Sequence, residues 1–388
     1  LRGAVPALVA ALAVSGAAAE EKDLGTFGIG LRYRYENVSE DAFAKDAHAS
    51  TLRTNVFYES AEVRRFFAFL EFENTADLGL GDQHNSTTNG ITDRPVVADP
   101  KGTEVHQVYL GYEGIPGTRI LAGRQEIVFD DARFVGNVAW RQNFQSFDGA
   151  RVTQRSIPRT VLDYAWVRNV NTVVGTNRDS DHHLLQAEVD AGRFGKALAY
   201  FYRLDFGPSA ASSASATFGV RWAGTIRTAP VEIPFRVEAA RQEAAADNPG
   251  PLEAGYLRAV AGIRRGGWKA DLGWERLGGS PGEGQFQTPL ATLHKWNGWA
   301  DKFLTTPANG LEDLVVSVSY GAGAWSGEIA AHRFDADSGG ATYGHELDGQ
   351  VTYRARWGQE FLLKLALYDA DAFSTDTEKL WIQTTYRF

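Results

Sequence analysis

Apolar and polar residues alternate strictly through most of the chain. At its end, Leu380, Ile382, Thr384, Tyr386 and Phe388 alternate with Trp381, Gln383, Thr385 and Arg387. A period of two marks a β-strand with two unlike faces. Further back, Leu347, Gly349, Val351 and Tyr353 stand against Glu346, Asp348, Gln350 and Arg354. A face that carries charge at three of four positions belongs in water, so the opposite face meets an apolar medium. The first strand repeats the theme, with Leu31, Tyr33 and Tyr35 against Arg32 and Arg34. The second sets Leu52, Thr54, Val56 and Tyr58 against Arg53 and Asn55.

Carried along the chain, this pattern predicts eighteen strands. The first two lie at 24–37 and 48–60, and a two-residue turn, Ala61-Glu62, leads to a third ending at Glu73. The rest follow at 103–113, 117–127, 144–155, 159–170, 182–191, 194–205, 214–227, 231–242, 254–265, 267–277, 312–321, 323–334, 344–355, 358–370 and 380–388. Tight turns at 113–117, 265–267 and 321–323 alternate with polar loops, the longest at 75–102, 128–143 and 278–311. An even strand count with short turns on one rim and long loops on the other predicts an all-β fold. The expected architecture is one closed antiparallel transmembrane barrel over 20–388, wide enough for an aqueous lumen, with both termini on the periplasmic rim. A secreted sandwich or propeller alternates as well. Charge recurring on one face, with Tyr, Trp and Phe on the other, favours the barrel. The expected lipid-facing set includes Tyr33, Tyr35, Leu52, Leu70, Phe72, Tyr200, Tyr202, Val220, Trp222, Phe235, Trp274, Tyr320, Tyr353 and Tyr386.

The start of the chain adds a destination. Leu1-Arg2-Gly3 precedes an apolar run from Ala4 to Ala19 that closes Ala17-Ala18-Ala19. This reads as a secretory signal peptide over 1–19. Nothing further along has the twenty or so apolar residues of a membrane-spanning helix. Export without an anchor leaves periplasm, medium or outer membrane. The absence of cysteine removes disulfides and thiolate chemistry, and a net charge of −9 argues against a nucleic-acid partner.

The inward rows supply the candidate chemistry. Pore-lining positions on this reading are Arg32, Arg34, Arg53, Arg124, Glu126, Arg151, Arg203, Arg221, Arg236, Glu238, Arg258 and Arg354. Arg124 and Glu126 share a strand parity, and with Arg151 they are expected either to anchor loop 128–143 inside the lumen or to select solutes by charge. Inward acids and bases nearly cancel, so selectivity depends on which charges sit where the pore is narrowest. Arginines near mid-strand predict a weak anion preference. Enzymatic signatures are lacking. The eight histidines, with the pair His182-His183, show no metal-ligand spacing, and no serine has a partner set for nucleophilic chemistry. No cofactor and no metal site are expected. The loop acids Asp130, Asp131, Asp335, Asp337, Asp369 and Asp371 read as solvated or as holding divalent cations that bridge lipopolysaccharide.

Two stretches carry a family likeness. The first runs Gly123-Arg124-Gln125-Glu126, then Phe129-Asp130-Asp131-Ala132-Arg133-Phe134-Val135-Gly136, Trp140-Arg141-Gln142-Asn143 and Phe147-Asp148-Gly149-Ala150-Arg151-Val152. The second runs Phe286-Gln287-Thr288-Pro289-Leu290, His294-Lys295, Gly298-Trp299-Ala300-Asp301 and Asn309-Gly310-Leu311. In this order they resemble the alginate-export family of outer-membrane β-barrel porins. The resemblance covers essentially 24–388 and implies passive passage of hydrophilic solutes, with anionic, uronate-type sugars as the expected class. It also implies contact with outer-membrane lipid and lipopolysaccharide, and recognition of the strand ending in Phe388 by barrel-assembly machinery. In the longest loop, Trp296 and Trp299 beside Asp301 are candidates for a carbohydrate contact, although loop tryptophans more often pack the loop onto the rim. A low-selectivity general porin, an outer-membrane enzyme and a non-conducting adhesin remain as alternatives.

Overall fold

The computed structural model describes residues 24–388, so the expected signal peptide lies outside the described residues. Every predicted strand forms, with ends displaced by a few residues. They are β1 (Gly25–Glu40), β2 (Ala47–Ser60), β3 (Phe66–Asp77), β4 (Gly102–Tyr112), β5 (Thr118–Gln125) and β6 (Ser146–Gln154). Next come β7 (Thr160–Asn171), β8 (Asn177–Asp190), β9 (Lys196–Leu204), β10 (Ser215–Thr228), β11 (Val231–Ala244), β12 (Glu253–Arg265) and β13 (Trp268–Leu277). A two-residue hairpin inside the longest loop forms β14 (Gly279–Ser280) and β15 (Gly284–Gln285). The wall is completed by β16 (Leu311–Ala322), β17 (Trp325–Asp335), β18 (Thr342–Arg354), β19 (Glu360–Ala370) and β20 (Thr377–Arg387).

Apart from the small hairpin, neighbours in sequence pair antiparallel in one 18-stranded sheet. It closes where β1 meets β20, from Gly30 opposite Arg387 to Glu40 opposite Thr377. Phe388 extends the seam by donating its amide to the Ile29 carbonyl at 2.8 Å. Closure satisfies wall backbone groups that an open edge would leave bare in hydrocarbon, at several kcal/mol each. Among the described residues no helix is long and apolar enough to cross a membrane. One turn differs from expectation. The β2–β3 connection spans 61–65, because Arg64 and Arg65 take positive φ before the strand resumes at Phe66.

The outward rows are apolar, as in Phe218, Val220 and Trp222 on β10 and Leu314, Val316, Val318 and Tyr320 on β16, all exposed. Aromatic pairs line the short-turn rim, with ring centroids 4.5 Å apart for Trp268–Tyr320 and 4.6 Å for Trp325–Tyr353. Such rings belong at a membrane–water interface.

Strand β9 has the opposite register to the one expected. Tyr200 and Tyr202 point inward and are buried, whereas Ala197, Ala199, Phe201 and Arg203 form the outward row. Both rows of β9 are largely apolar, so periodicity alone does not say which faces lipid. The inward row is apolar because a loop packs on it. Phe134 lies 5.3 Å from the Tyr200 ring, and Phe129 lies 6.0 Å from the Tyr202 ring. Arg203 therefore does not line the pore and instead pairs with Asp205 at 3.2 Å.

Val220 gives the test of the wall register. Val220→Arg places a charge on the outward face of β10 and should cost about 2–4 kcal/mol if near the midplane. Equilibrium refolding into bilayers measures it, and the inward neighbour Gly219 is no substitute control because a Cβ there would lie 2.3 Å from the Tyr200 ring.

Candidate functional site: a lumen bridged by two loops

Loops 126–145 and 278–310 enter the barrel, and the first crosses its full width. At one end Arg34 of β1 lies over the Trp140 ring, 4.1 Å from its centre, and donates to the Trp140 carbonyl at 2.6 Å. Arg32 donates to Gln142 Oε1 at 2.8 Å, to the Ala139 carbonyl at 2.9 Å, and to the Arg141 carbonyl. At the other end Asp130 accepts from Arg221 of β10 at 2.8 Å and from Arg236 of β11 at 2.6 Å. Asp131 meets Arg236 at 3.1 Å and Arg258 of β12 at 2.8 Å. β1 and β10 stand nine places apart in an 18-stranded ring, so the loop spans a diameter. Ile127, Phe129 and Val135 of this loop join Phe147, Leu184 and Tyr202 in a buried cluster.

The expected anchoring of this loop by acid–base contacts is present: Glu126 takes part at its root, against His106 at 2.7 Å, while residues other than Arg124 and Arg151 clamp the span. Asp130 and Asp131, expected to be solvated or cation-binding, are the clamp itself. Arg133 donates to both oxygens of Glu275 on β13, at 2.8 and 2.9 Å, and to Asn297 of the second loop at 3.1 Å. Arg141 joins Asp301 at 3.0 Å and Glu36 of β1 at 3.5 Å. The sequence signal for both arginines was the density of charge inside an otherwise apolar loop.

The second loop docks through a turn at 297–301. Its Trp299 and Ala300 amides donate to Asp348 and Glu346 of β18, at 3.2 and 2.7 Å. Gly298 permits this approach, having φ +83° and no room for a side chain. A Cβ there would lie 2.3 Å from Glu346 Oε2. His294 stacks on Trp140, ring centroids 4.3 Å apart, and connects Asp301 (2.8 Å) to the Lys364 ammonium (2.8 Å). Burial, reinforced by Lys364, holds the His294 imidazole well below its ordinary pKa. The ring faces an acceptor at Nδ1, the Asp301 carboxylate, and a donor at Nε2, the Lys364 ammonium. Burial pushes the Asp301 carboxyl up, but His294, Lys379 and Arg141 outweigh it and hold it well below the usual range.

The remaining expected site residues divide by position. Arg53 faces inward and is held by Glu73 at 2.9 Å, and Arg151 is held by Asp163 at 2.5 Å. Glu238 is buried and accepts from Arg236 at 2.6 Å and from Tyr200 at 2.9 Å. Arg124 does not share a face with Glu126. Its ladder partners are Val108 and Asp148, on the row where Val108 and Leu110 are exposed outward, and it bonds Asp148 at 2.7 Å. Strand β5 ends at Gln125, which breaks the expected parity, and Glu126 turns in to accept from His106 and Asn137. Arg354 lies at the short-turn rim, largely exposed, paired with Glu360 at 2.8 Å. Trp296 and Trp299 stand inside the lumen, each with a cation against its ring: Arg258 at 4.5 Å from Trp296 and Lys364 at 3.7 Å from Trp299. Asp301 is buried in its ion pairs, away from any exposed platform. Beneath this loop lies a chamber of about 250 Å³ lined by Arg258, Glu275, Trp296, Asp313, Glu328 and His332.

Residues 24–285 match the alginate export family. The chain belongs to that family. Solved structures of outer-membrane barrels share the fold. OpdK from Pseudomonas aeruginosa, solved with vanillate, superposes at a TM-score of 0.71 with 12% identity, over 93% of this chain and 98% of its own. OpdQ from the same organism gives 0.72 and 13%, over 94% and 98%. OccAB4 from Acinetobacter baumannii gives 0.68 and 14%, over 93% and 98%. No curated protein matches the chain in sequence. This alginate-export-family barrel is an outer-membrane porin-type channel whose lumen is bridged by two loops.

Two tests address the docking. Gly298→Ala should cost about 1–3 kcal/mol through left-handed strain alone, more with the clash. It should expose Lys302, now buried against Glu40 at 2.8 Å, to trypsin in the folded protein. The acid limit follows from Asp131 and Asp301. Burial raises the Asp131 carboxyl, but Arg236 and Arg258 hold it below its ordinary value. Groups depressed in the folded state stabilise it fully above the unfolded carboxyl pKa of about 4 and lose that contribution as pH falls through the folded value. Single-channel recordings should therefore show loop-opening transitions that become more frequent as pH falls below about 4.

Proposed function

We propose that this channel passes small carboxylated solutes, uronate-type sugars among them, by passive diffusion with a weak anion preference. The observation that carries this reading is Arg32. Of the arginines read from the sequence as pore-lining, it alone has no carboxylate within ion-pair distance. Its contacts are Gln142, two loop carbonyls and the face of Phe144 at 5.2 Å. It is half-buried, beside the loop that crosses the lumen. Arg34 is paired with Asp99 at 3.6 Å and Arg53 with Glu73 at 2.9 Å, so their charges are locally offset. A cation in a poorly screened lumen whose charge is not offset attracts anions at a range a paired one does not. The vanillate bound by OpdK, itself a carboxylate, supports the class on a shared fold. Lipid and lipopolysaccharide surround the wall on this reading, and the outward row of β20 through Phe388 is the segment offered to assembly machinery.

A general porin of low selectivity is the second reading, favoured by the many lumen ion pairs that cancel locally. Reversal potentials across planar bilayers under a salt gradient separate the two. The wild-type channel should prefer anions weakly, and Arg32→Gln should move the potential towards cations more than Arg53→Gln does. A wild-type channel that prefers cations would leave only the general-porin reading.

A further inference from the structure

We infer that Glu71, His106 and Glu126 form a binding site for a divalent transition cation of the zinc class on the inner wall of the barrel. The three come from β3, β4 and the root of loop 126–145, and one ligand atom from each lies within 4.8 Å of the other two. An imidazole with two carboxylates is a donor set that suits zinc, at about 2.0–2.2 Å per ligand. Ligands at that radius stand no more than about 4.4 Å apart, so small side-chain rotations close the set.

The wall is built irregularly at this point. The β3–β4 ladder slips between Glu71 and Phe72, where Gln107 faces Glu71 and Val105 faces Phe72. His106 is the extra residue, and the bulge turns it inward next to Gln107, where regular alternation would set them on opposite faces. There it is buried, 2% exposed, with Nε2 2.7 Å from Glu126 Oε1 and Nδ1 3.7 Å from Glu73 Oε1. A metal on Nε2 leaves Nδ1–H directed at the Glu73 carboxylate, the outer contact that orients metal-bound histidines. Both ligand carboxylates are themselves oriented. Glu71 accepts from Asn55 at 2.7 Å and Gln107 at 2.8 Å, and Glu126 accepts from Asn137 at 2.5 Å. The cation replaces any proton on His106, so affinity falls as pH drops below the imidazole range. Bound, it would cross-link two wall strands to the root of the loop that spans the lumen.

Calorimetric titration of the refolded full-length barrel with zinc chloride, with magnesium chloride as the hard-cation control, tests this. One zinc per barrel should bind, with magnesium giving no comparable heat. His106→Gln and Glu126→Gln should each weaken zinc at least tenfold, while His345→Ala, an exposed histidine elsewhere, should leave it unchanged. Folding of each variant is checked by its heat-dependent gel mobility. Should His106→Gln fail to fold, Glu126→Gln at the loop root decides alone. Wild-type protein without saturable zinc binding, or variants that titrate like the wild type, would overturn the assignment.

Discussion

A charge carried into the lumen must be met there, because water is scarce where a loop packs on the wall. Loop 126–145 brings Asp130, Asp131, Arg133 and Arg141 with it, and the wall answers with Arg221, Arg236 and Arg258 on one side and Glu275 and Glu36 on others. Removing one partner of such a buried pair typically costs about 3–5 kcal/mol, since the survivor is left desolvated. The pairs therefore fix where the loop lies even if their net stabilisation is small. Apolar packing of Phe129, Phe134 and Val135 on β6 to β9 supplies cohesion, and the charges supply position.

This division explains what the sequence disclosed. The wall was legible in nearly every strand because each has one wet face and one lipid face, and hydropathy records the difference. It failed at β9, where an inserted loop makes the wet side dry and both rows apolar. It failed again at Arg124, where parity counted past the end of β5 gave the wrong face. Partner choice inside the lumen was not legible at all. Arg133 meets Glu275 across 142 positions of sequence, and no local spacing encodes a contact at that range.

The aromatic rings of the second loop show a related effect. In the sequence Trp296 and Trp299 offer two readings, a stacking surface for sugar or packing of the loop onto the rim. In the folded barrel a wall or loop cation stands against each ring, which joins loop and wall through cation–π contact. Residue types suited to recognition are used here for attachment.

The seam between β1 and β20 has a further consequence for the order of assembly. Arg32 and Arg34 hold the crossing loop from one side of that seam, while Lys379, on β20, holds Asp301 from the other. These contacts join positions as much as 110 apart in sequence for Arg32 with Gln142 and 78 apart for Asp301 with Lys379. Contacts between such distant positions form late, because chain entropy must be overcome before they contribute. The ring of strands and its internal brace are thus finished together, and a chain interrupted before its last hairpin has neither a sealed wall nor a fully seated loop.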